Sequence, residues 1–157
     1  MSFLYHTKVK ADWIDYNGHM QDAYYGLVFS YAVDAFQDVV GFDAAYRQRT
    51  GCTIYLVEEH KYFLKEVKEG DLVEIRIGLL AVTEKLFHLH CQMLSGGQEV
   101  AISELIEMHV QQKPRPKGVA IPEAIMEQMT AYKLDETRSE EHTSELQSPC
   151  NLVCRLL

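Results

Sequence analysis

The chain has 157 residues, 47% of hydrophobic types, and a mean hydropathy of −0.17, which is typical of one globular domain and excludes a disordered chain. Its formal net charge of −8 provides no electrostatic attraction to nucleic acid or to an anionic membrane surface. The sequence has no run of ~18 apolar residues and no apolar signal-peptide core, so we expect a mature cytoplasmic protein.

The first third of the chain predicts a strand followed by one long helix. Residues 3–11 alternate loosely as a strand, and residues 15–19 (DYNGH) have the composition of a turn. Apolar residues then recur at helical spacing over 22–41, with Asp22 as the predicted N-cap and Gly41 as the predicted stop. Apolar side chains surround this helix almost completely, so we expect it to be buried. A shorter helical piece is expected at 43–49.

Beyond Gly51 the hydrophobic period changes to two. This pattern predicts four strands, at residues 53–66, 71–83, 85–95 and 98–112, and a short helix follows at 122–132. In the first of these strands we expect the even-numbered residues from Ile54 to Leu64 to share one face, with Glu59 facing solvent on the other. In the last strand, the residues expected to share an apolar face are Val100, Ile102, Ile106, Met108 and Val110.

The order of these elements predicts an α+β fold. The strand connections are too short for parallel crossovers, so the sheet must be largely antiparallel. The only available cover for the apolar face of a five-stranded sheet is the long helix. An antiparallel five-stranded sheet wrapped around one long central helix is the hotdog fold. Its open sheet edges and exposed apolar strand faces predict a homodimer or homotetramer.

Polar residues cluster directly before the long helix. Asp15, Asn17 and His19 are spaced two apart, and the helix start beyond them offers unpaired N–H groups with a partial positive charge. A carboxylate beside such donors can act as base or nucleophile toward a carbonyl whose oxyanion the N–H groups stabilise. The structural alternative is an Asx-type turn made by Asp15 and Asn17, with His19 packing against the cap.

The segment DWIDYNGHM, followed by AYY and VFSYAVDAF, resembles the hotdog acyl-CoA thioesterases, the group that includes 4-hydroxybenzoyl-CoA thioesterase. Most similar is the betainyl-CoA thioesterase type associated with carnitine dehydrogenase, and the similarity covers residues 4 to about 130. The resemblance implies that Asp15 is nucleophile or general base and that the backbone N–H at Asp22 polarises the thioester carbonyl. It implies that Asn17 and His19 position water or substrate, and that the site lies between subunits. It requires no metal or bound cofactor.

Several further residues are candidates for this site. Glu58 interrupts an apolar strand face, and it is either catalytic or paired with His60 or His19. Arg115 and Lys117 are basic residues in an acidic protein, and they are candidates for binding the phosphates of coenzyme A. The alternative is that they are only solvated loop residues. A betaine-like acyl group favours an aromatic cage, for which the candidates are Trp13, Tyr16, Tyr24 and Tyr25.

No third ligand accompanies the His88-x-His90 pair in the sequence, so we predict a polar strand face there and no metal site. The predicted function is hydrolysis of a short or polar acyl-CoA, such as betainyl-CoA. Two alternatives remain: a non-catalytic acyl-CoA-binding module that tolerates loss of Asp15, and a hotdog hydratase or dehydratase.

The C-terminal segment does not match the rest of the domain. Residues 138–157 show neither strand alternation nor a helical stripe, and RSEEHTSELQS resembles the translation of a common sequencing adapter. NLVCRLL resembles the continuation of the same adapter. We therefore predict that the thioesterase domain comprises residues 1–137 and that residues 138–157 are non-native read-through.

Overall fold

The computed structural model describes residues 1–135, and the non-native segment predicted at 138–157 lies outside the described residues. The elements are β1 (Phe3–Lys8), a 3-10 turn (Ala11–Trp13), α1 (Asp22–Val40), α2 (Ala44–Thr50), β2 (Cys52–Phe63), β3 (Leu72–Val82), β4 (Leu86–Ser95), β5 (Gln98–Gln111), β6 (Lys117–Gly118) and α3 (Glu123–Thr130). Within the described residues, no helix is both long and apolar enough to cross a membrane.

The strands form one antiparallel sheet in the order β1-β3-β4-β5-β2, with the short β6 added against β5. The five long strands and their antiparallel pairing were predicted, whereas β6 was not. β2 is an edge strand, and apolar side chains at its middle and end are exposed, including Leu56 and Phe63. An exposed apolar edge of this kind is typical of a surface that pairs with another chain.

Helix α1 has 19 residues and ends where the sequence predicts. Gly41 follows it with φ of 113°, a left-handed conformation that glycine adopts without steric cost. The prediction of Asp22 as N-cap is wrong. Gln21 occupies the cap with extended backbone and no side-chain hydrogen bond, and Asp22 is the first helical residue. Asp22 thus lies where its negative charge complements the helix dipole.

The core lies between α1 and the inner faces of β3 and β4. Phe36 of α1 is fully buried and packs edge-to-face on Phe3 and Tyr132, with ring centroids 5.8 and 5.3 Å away. The predicted inner face of β4 is confirmed, since its residues belong to the main core cluster: Phe87, Leu89, Cys91 and Met93. Burial of such side chains stabilises the fold by ~1.5–3 kcal/mol each.

A β-bulge changes which residues of β2 face α1. The pairing with β5 shifts by one residue between Leu56 and Glu58. The expectation that Ile54, Leu56, Glu58 and His60 share a face is therefore wrong. Glu59 and Lys61 turn inward instead, and Lys61 Nζ lies 3.3 Å from where a Cβ on Gly26 of α1 would be.

A second bulge, at Val100, changes the faces of β5 in the same way. Two successive N–H groups, of Leu64 and Lys65, donate to the Val100 carbonyl, and the register with β4 shifts beside it. Val100 packs in the core cluster, whereas Ile102 and Ile106 are buried outside that cluster. The single apolar face predicted for this strand is therefore wrong, and Glu107 comes to the side of α1.

Candidate active site

The segment before α1 is a closed loop that fixes Asp15. Its backbone N–H donates to the His19 carbonyl at 3.0 Å, and Ile14 forms an antiparallel bridge with Met20. The Asn17 N–H donates to Asp15 Oδ1 at 2.8 Å, which forms the Asx turn considered from the sequence as the structural alternative. One carboxylate oxygen of Asp15 is thus held by the turn, and Oδ2 is left for another partner.

The loop is also anchored to the body of the protein. Met20 N–H donates to the Val67 carbonyl, and Gln21 N–H donates to the Trp13 carbonyl, both at 2.9 Å. Trp13, Met20 and Val67 are buried. Asp15 therefore keeps a fixed position relative to the first residue of α1, as a catalytic carboxylate requires.

The start of α1 has no side-chain acceptor for its first N–H groups, because the Gln21 side chain makes no capping hydrogen bond. These donors and the helix dipole favour a negatively charged oxygen at this end. The loop therefore carries a half-buried carboxylate, and the helix start that follows it carries N–H donors without a side-chain cap.

His19 and Asn17 contribute differently to this loop. The His19 ring nitrogen Nε2 lies 3.0 Å from Glu66 Oε2, so a carboxylate orients the imidazole. The Asn17 side chain is exposed at the tip of the turn. The structure thus places both residues beside Asp15 but does not direct the Asn17 amide into a buried site.

Glu58 lies apart from this loop. Its carboxylate is 2.8 Å from His60 Nε2, which is the structural pairing considered from the sequence, while His19 pairs with Glu66. The β2 bulge places Glu58 on the face opposite Glu59. In this protomer the structure does not bring Glu58 together with Asp15.

The four aromatic candidates do not converge as one cage. Trp13 and Tyr24 stack, with centroids 5.9 Å apart, and Lys10 Nζ already lies 5.3 Å from the Trp13 ring centroid. Tyr25 is buried, and its hydroxyl donates to the Lys65 carbonyl at 3.1 Å. Tyr16 is 97% exposed.

Arg115 and Lys117 are exposed and lie near the C-terminal end of β5. There Gln111 pairs with Cys52, the first residue of β2, whereas Asp15 lies near Val67, beyond the last residue of β2. Within one protomer, the two basic residues and Asp15 are therefore at opposite ends of a twelve-residue strand.

Two acidic groups inside β5 were missed from the sequence. Glu104 is 5% exposed and lies 3.5 Å from both His88 Nε2 and His90 Nδ1. Burial alone raises the pKa of Glu104, but hydrogen bonds and charge from the two histidines outweigh it and lower the pKa to about 2. No group of three potential ligands within residues 1–135 has metal-binding geometry.

The second missed group, Glu107, faces a cavity of about 170 Å³ between α1, β2 and β5. Asp34 and Gln37 from α1 and Glu59 from β2 also line it. Burial, and then the charges of Asp34 and Glu59, raise the pKa of Glu107 to about 8. Glu107 lies two residues from Leu105 and therefore shares the inner face of β5. The sequence predicts this only if the bulge at Val100 is known. Glu59, expected to be solvated, in fact accepts from Ser103 Oγ at 2.8 Å.

Residues 9–129 match the family model described as the thioesterase-like superfamily. A betainyl-CoA thioesterase of Pseudomonas aeruginosa is 44% identical over 108 residues, which are 68% of this chain and 68% of that protein. An L-carnitine dehydrogenase/betainyl-CoA thioesterase of Agrobacterium fabrum is 38% identical over 124 residues. That match covers 78% of this chain but only 25% of the longer protein.

Among solved structures, a Staphylococcus aureus protein in complex with CoA superimposes with a TM-score of 0.78. It is 28% identical, and the match covers 84% of each chain. The arrangement of an antiparallel sheet and a few helices is therefore shared with a protein that binds CoA.

Proposed function

Because the chain belongs to the thioesterase-like superfamily and is an acyl-CoA thioesterase with a curled antiparallel sheet, we propose that it hydrolyses a short acyl-CoA with a cationic acyl end, such as betainyl-CoA. The observation that carries the proposal is the fixed carboxylate of Asp15 beside the uncapped start of α1. The choice of acyl group is supported by the names of the relatives with 44% and 38% identity.

In this proposal the thioester carbonyl lies at the start of α1. Asp15 takes a proton from water, whose oxygen adds to the carbonyl carbon, and the N–H at Asp22 stabilises the resulting oxyanion. The carbon–sulfur bond then breaks, and the proton passes to the leaving thiolate of coenzyme A. If Asp15 is instead the nucleophile, the carbon–sulfur bond breaks to give an acyl–aspartate anhydride, which water hydrolyses.

The other predicted residues take supporting roles. His19, oriented by Glu66, and Asn17, whose N–H fixes Asp15, position the carboxylate. Trp13 and Tyr24 form an aromatic wall beside the loop. We keep Glu58, Arg115 and Lys117 as candidates only across a subunit interface, because all three lie away from Asp15 in one protomer.

We also propose that the sheet wraps around α1 as the central helix and that two protomers associate through the β2 edge. Support comes from the burial of one side of α1 against the sheet and from the exposed apolar residues of β2. A homodimer paired along this edge would bring the two sites together, and a homotetramer would pair two such dimers. Residues 1–137 would form the thioesterase domain.

Release of free thiol from betainyl-CoA, aromatic acyl-CoA and fatty acyl-CoA tests the proposal. We expect the highest kcat/KM for betainyl-CoA. The non-catalytic binding module predicts no thiol from any of them, and the hydratase or dehydratase predicts a changed double bond without thiol release. The chain truncated after residue 137 should retain the activity of the full chain.

A further inference from the structure

The cavity between α1, β2 and β5 contains two polar side chains that have no partner. Glu107 and Gln37 are 5% and 8% exposed, and neither side chain has a hydrogen bond or ion pair within residues 1–135. Both line the cavity, so their polar atoms face its interior. A bound polar or charged molecule would give these cavity-facing atoms partners that the protein itself does not supply.

The charge of the cavity selects a cation. Glu59 is neutralised by Lys61, whose Nζ lies 2.8 Å from Glu59 Oε2. Neither Asp34 nor Glu107 has an ion pair within residues 1–135. Burial and the charge of Asp38 raise the pKa of Asp34 against the opposing charge of Arg47, and burial and the charges of Asp34 and Glu59 raise the pKa of Glu107. A positive charge between Asp34 and Glu107 would therefore be stabilised by both carboxylates.

The remaining walls favour an alkylated cation over a hydrated metal ion. Together with Gly26 and Ser30, four aliphatic side chains complete the lining: Val33, Ile54, Leu56 and Leu105. The cavity of about 170 Å³ is similar in volume to a cavity of ~150 Å³ that binds a molecule as large as benzene, so it suits a small organic group. The methyl groups on the nitrogen would be buried against the aliphatic side chains, and the positive charge would lie close to the carboxylates.

We propose that this cavity binds the quaternary ammonium end of the acyl group, with Glu107 and Asp34 as its counter-ions and Gln37 completing the polar lining. This inference rests on the proposed function, since it assigns the specificity of that same site. It also replaces the aromatic cage, because Lys10 already lies over Trp13 and Tyr16 is solvent-exposed.

The length of the acyl group determines whether the cavity and the Asp15 loop that bind one substrate belong to the same protomer. Asp34 is twelve residues beyond Asp22 on α1, about 18 Å at 1.5 Å per residue. A betainyl group has one carbon between its carbonyl and its nitrogen, so it cannot span that length. The cavity of one protomer must therefore serve the Asp15 loop of its partner, across the β2 edge that borders the cavity.

The titration of Glu107 supports the same site and supplies an independent readout. The titratable groups around Glu107 are Asp34 on α1, Glu59 and Lys61 on β2, Cys91 on β4 and His109 on β5. The register partner of Glu107 on β4 is Phe87. Because the pKa of Glu107 is raised to about 8, its carboxyl is mostly protonated at pH 6.5. Cation affinity should rise as pH increases through 8, and cation binding should release a proton.

The first experiment compares betainyl-CoA with 3,3-dimethylbutyryl-CoA, which has the same shape but carbon in place of the charged nitrogen. We expect Glu107→Gln to raise KM for betainyl-CoA at least tenfold, about 1.4 kcal/mol, and to change KM for the neutral substrate less than twofold. Asp34→Asn should act in the same direction. Glu127→Gln, the same kind of charge change at an exposed residue of α3, is the matched control and should leave both substrates unchanged.

The second experiment titrates tetramethylammonium chloride by calorimetry, which requires no catalysis. We expect binding that strengthens from pH 6.5 to pH 9 in the wild type and is weakened at least tenfold, without the pH dependence, by Glu107→Gln. Equal losses for charged and neutral substrates, or unaltered tetramethylammonium binding in the variant, would overturn the inference. Binding that depends on Glu107 in a protein that hydrolyses neither substrate would retain the cation site and reject the proposed function.

Discussion

Substitution of Asp15 by Asn isolates the chemical role of the carboxylate from its structural role. Asp15 Oδ1 accepts the Asn17 N–H at 2.8 Å, and an Asn amide oxygen can accept the same hydrogen bond. The Asx turn should therefore persist, and we expect the free energy of unfolding to change by no more than about 0.5 kcal/mol.

The catalytic effect should be much larger. An amide neither takes a proton from water nor forms an anhydride, and loss of a positioned acid–base group typically costs 10²–10⁴-fold. At 1.36 kcal/mol per tenfold, this corresponds to about 2.7–5.4 kcal/mol in the activation free energy. Because the loop geometry is retained, KM should change little and the loss should lie in kcat.

The assay is thiol release from betainyl-CoA, with urea unfolding of the same preparations. The matched control is Asp12→Asn, which removes the same charge from an exposed residue of the neighbouring 3-10 turn. A folded Asp15→Asn protein with kcat within threefold of the wild type would refute the assignment of Asp15. Equal losses in the Asp12 and Asp15 variants would show an effect of net charge only.

Three further changes test other parts of the account. Phe36→Ala should lower the unfolding free energy by about 3–5 kcal/mol, because it leaves a cavity at a fully buried site. Val39→Ala, on the exposed side of α1, should lower the unfolding free energy far less. Urea denaturation measures both. The folded-state pKa of Glu104 is lowered from 4.5 to about 2, so its stabilisation is present above pH 4.5 and is lost as pH falls toward 2. Glu104→Gln should therefore flatten the acid limb of stability, and an unchanged limb would contradict the histidine pairing. Co-expressed Asp15→Asn and Glu107→Gln chains, assayed with betainyl-CoA well below KM, should regain about a quarter of the wild-type kcat/KM, since half of randomly formed dimers contain one complete site. A kcat/KM no higher than the residual value of the Glu107→Gln dimers would mean that both residues serve the same protomer's site.

Much of the fold follows from local sequence. The helical spacing of apolar residues and the glycine at position 41 locate α1, because only glycine adopts the left-handed end conformation without strain. Alternation locates β3 and β4 and their inner faces, where pairing is regular up to Leu79. Antiparallel order follows from the short connections.

The errors in the strand faces have one physical cause. A β-bulge inserts one residue and inverts the alternation beyond it, and no simple pattern announces the bulges at Val57 and Val100. The alternation therefore predicts Glu59 in solvent, and it does not indicate that Glu107 lines a cavity. The Asp15 loop could be found because its polar residues are contiguous, whereas the acidic cavity combines α1, β2 and β5, which only tertiary structure brings together.

The central claim is that a carboxylate at the start of α1 faces the thioester. A crystal structure of the Asp15→Asn protein with betainyl-CoA bound tests it most directly. The account predicts the thioester carbonyl oxygen about 2.7–3.1 Å from the backbone N–H of Asp22, with the side chain at position 15 against the carbonyl carbon. A thioester bound elsewhere, with neither group in contact, would contradict it.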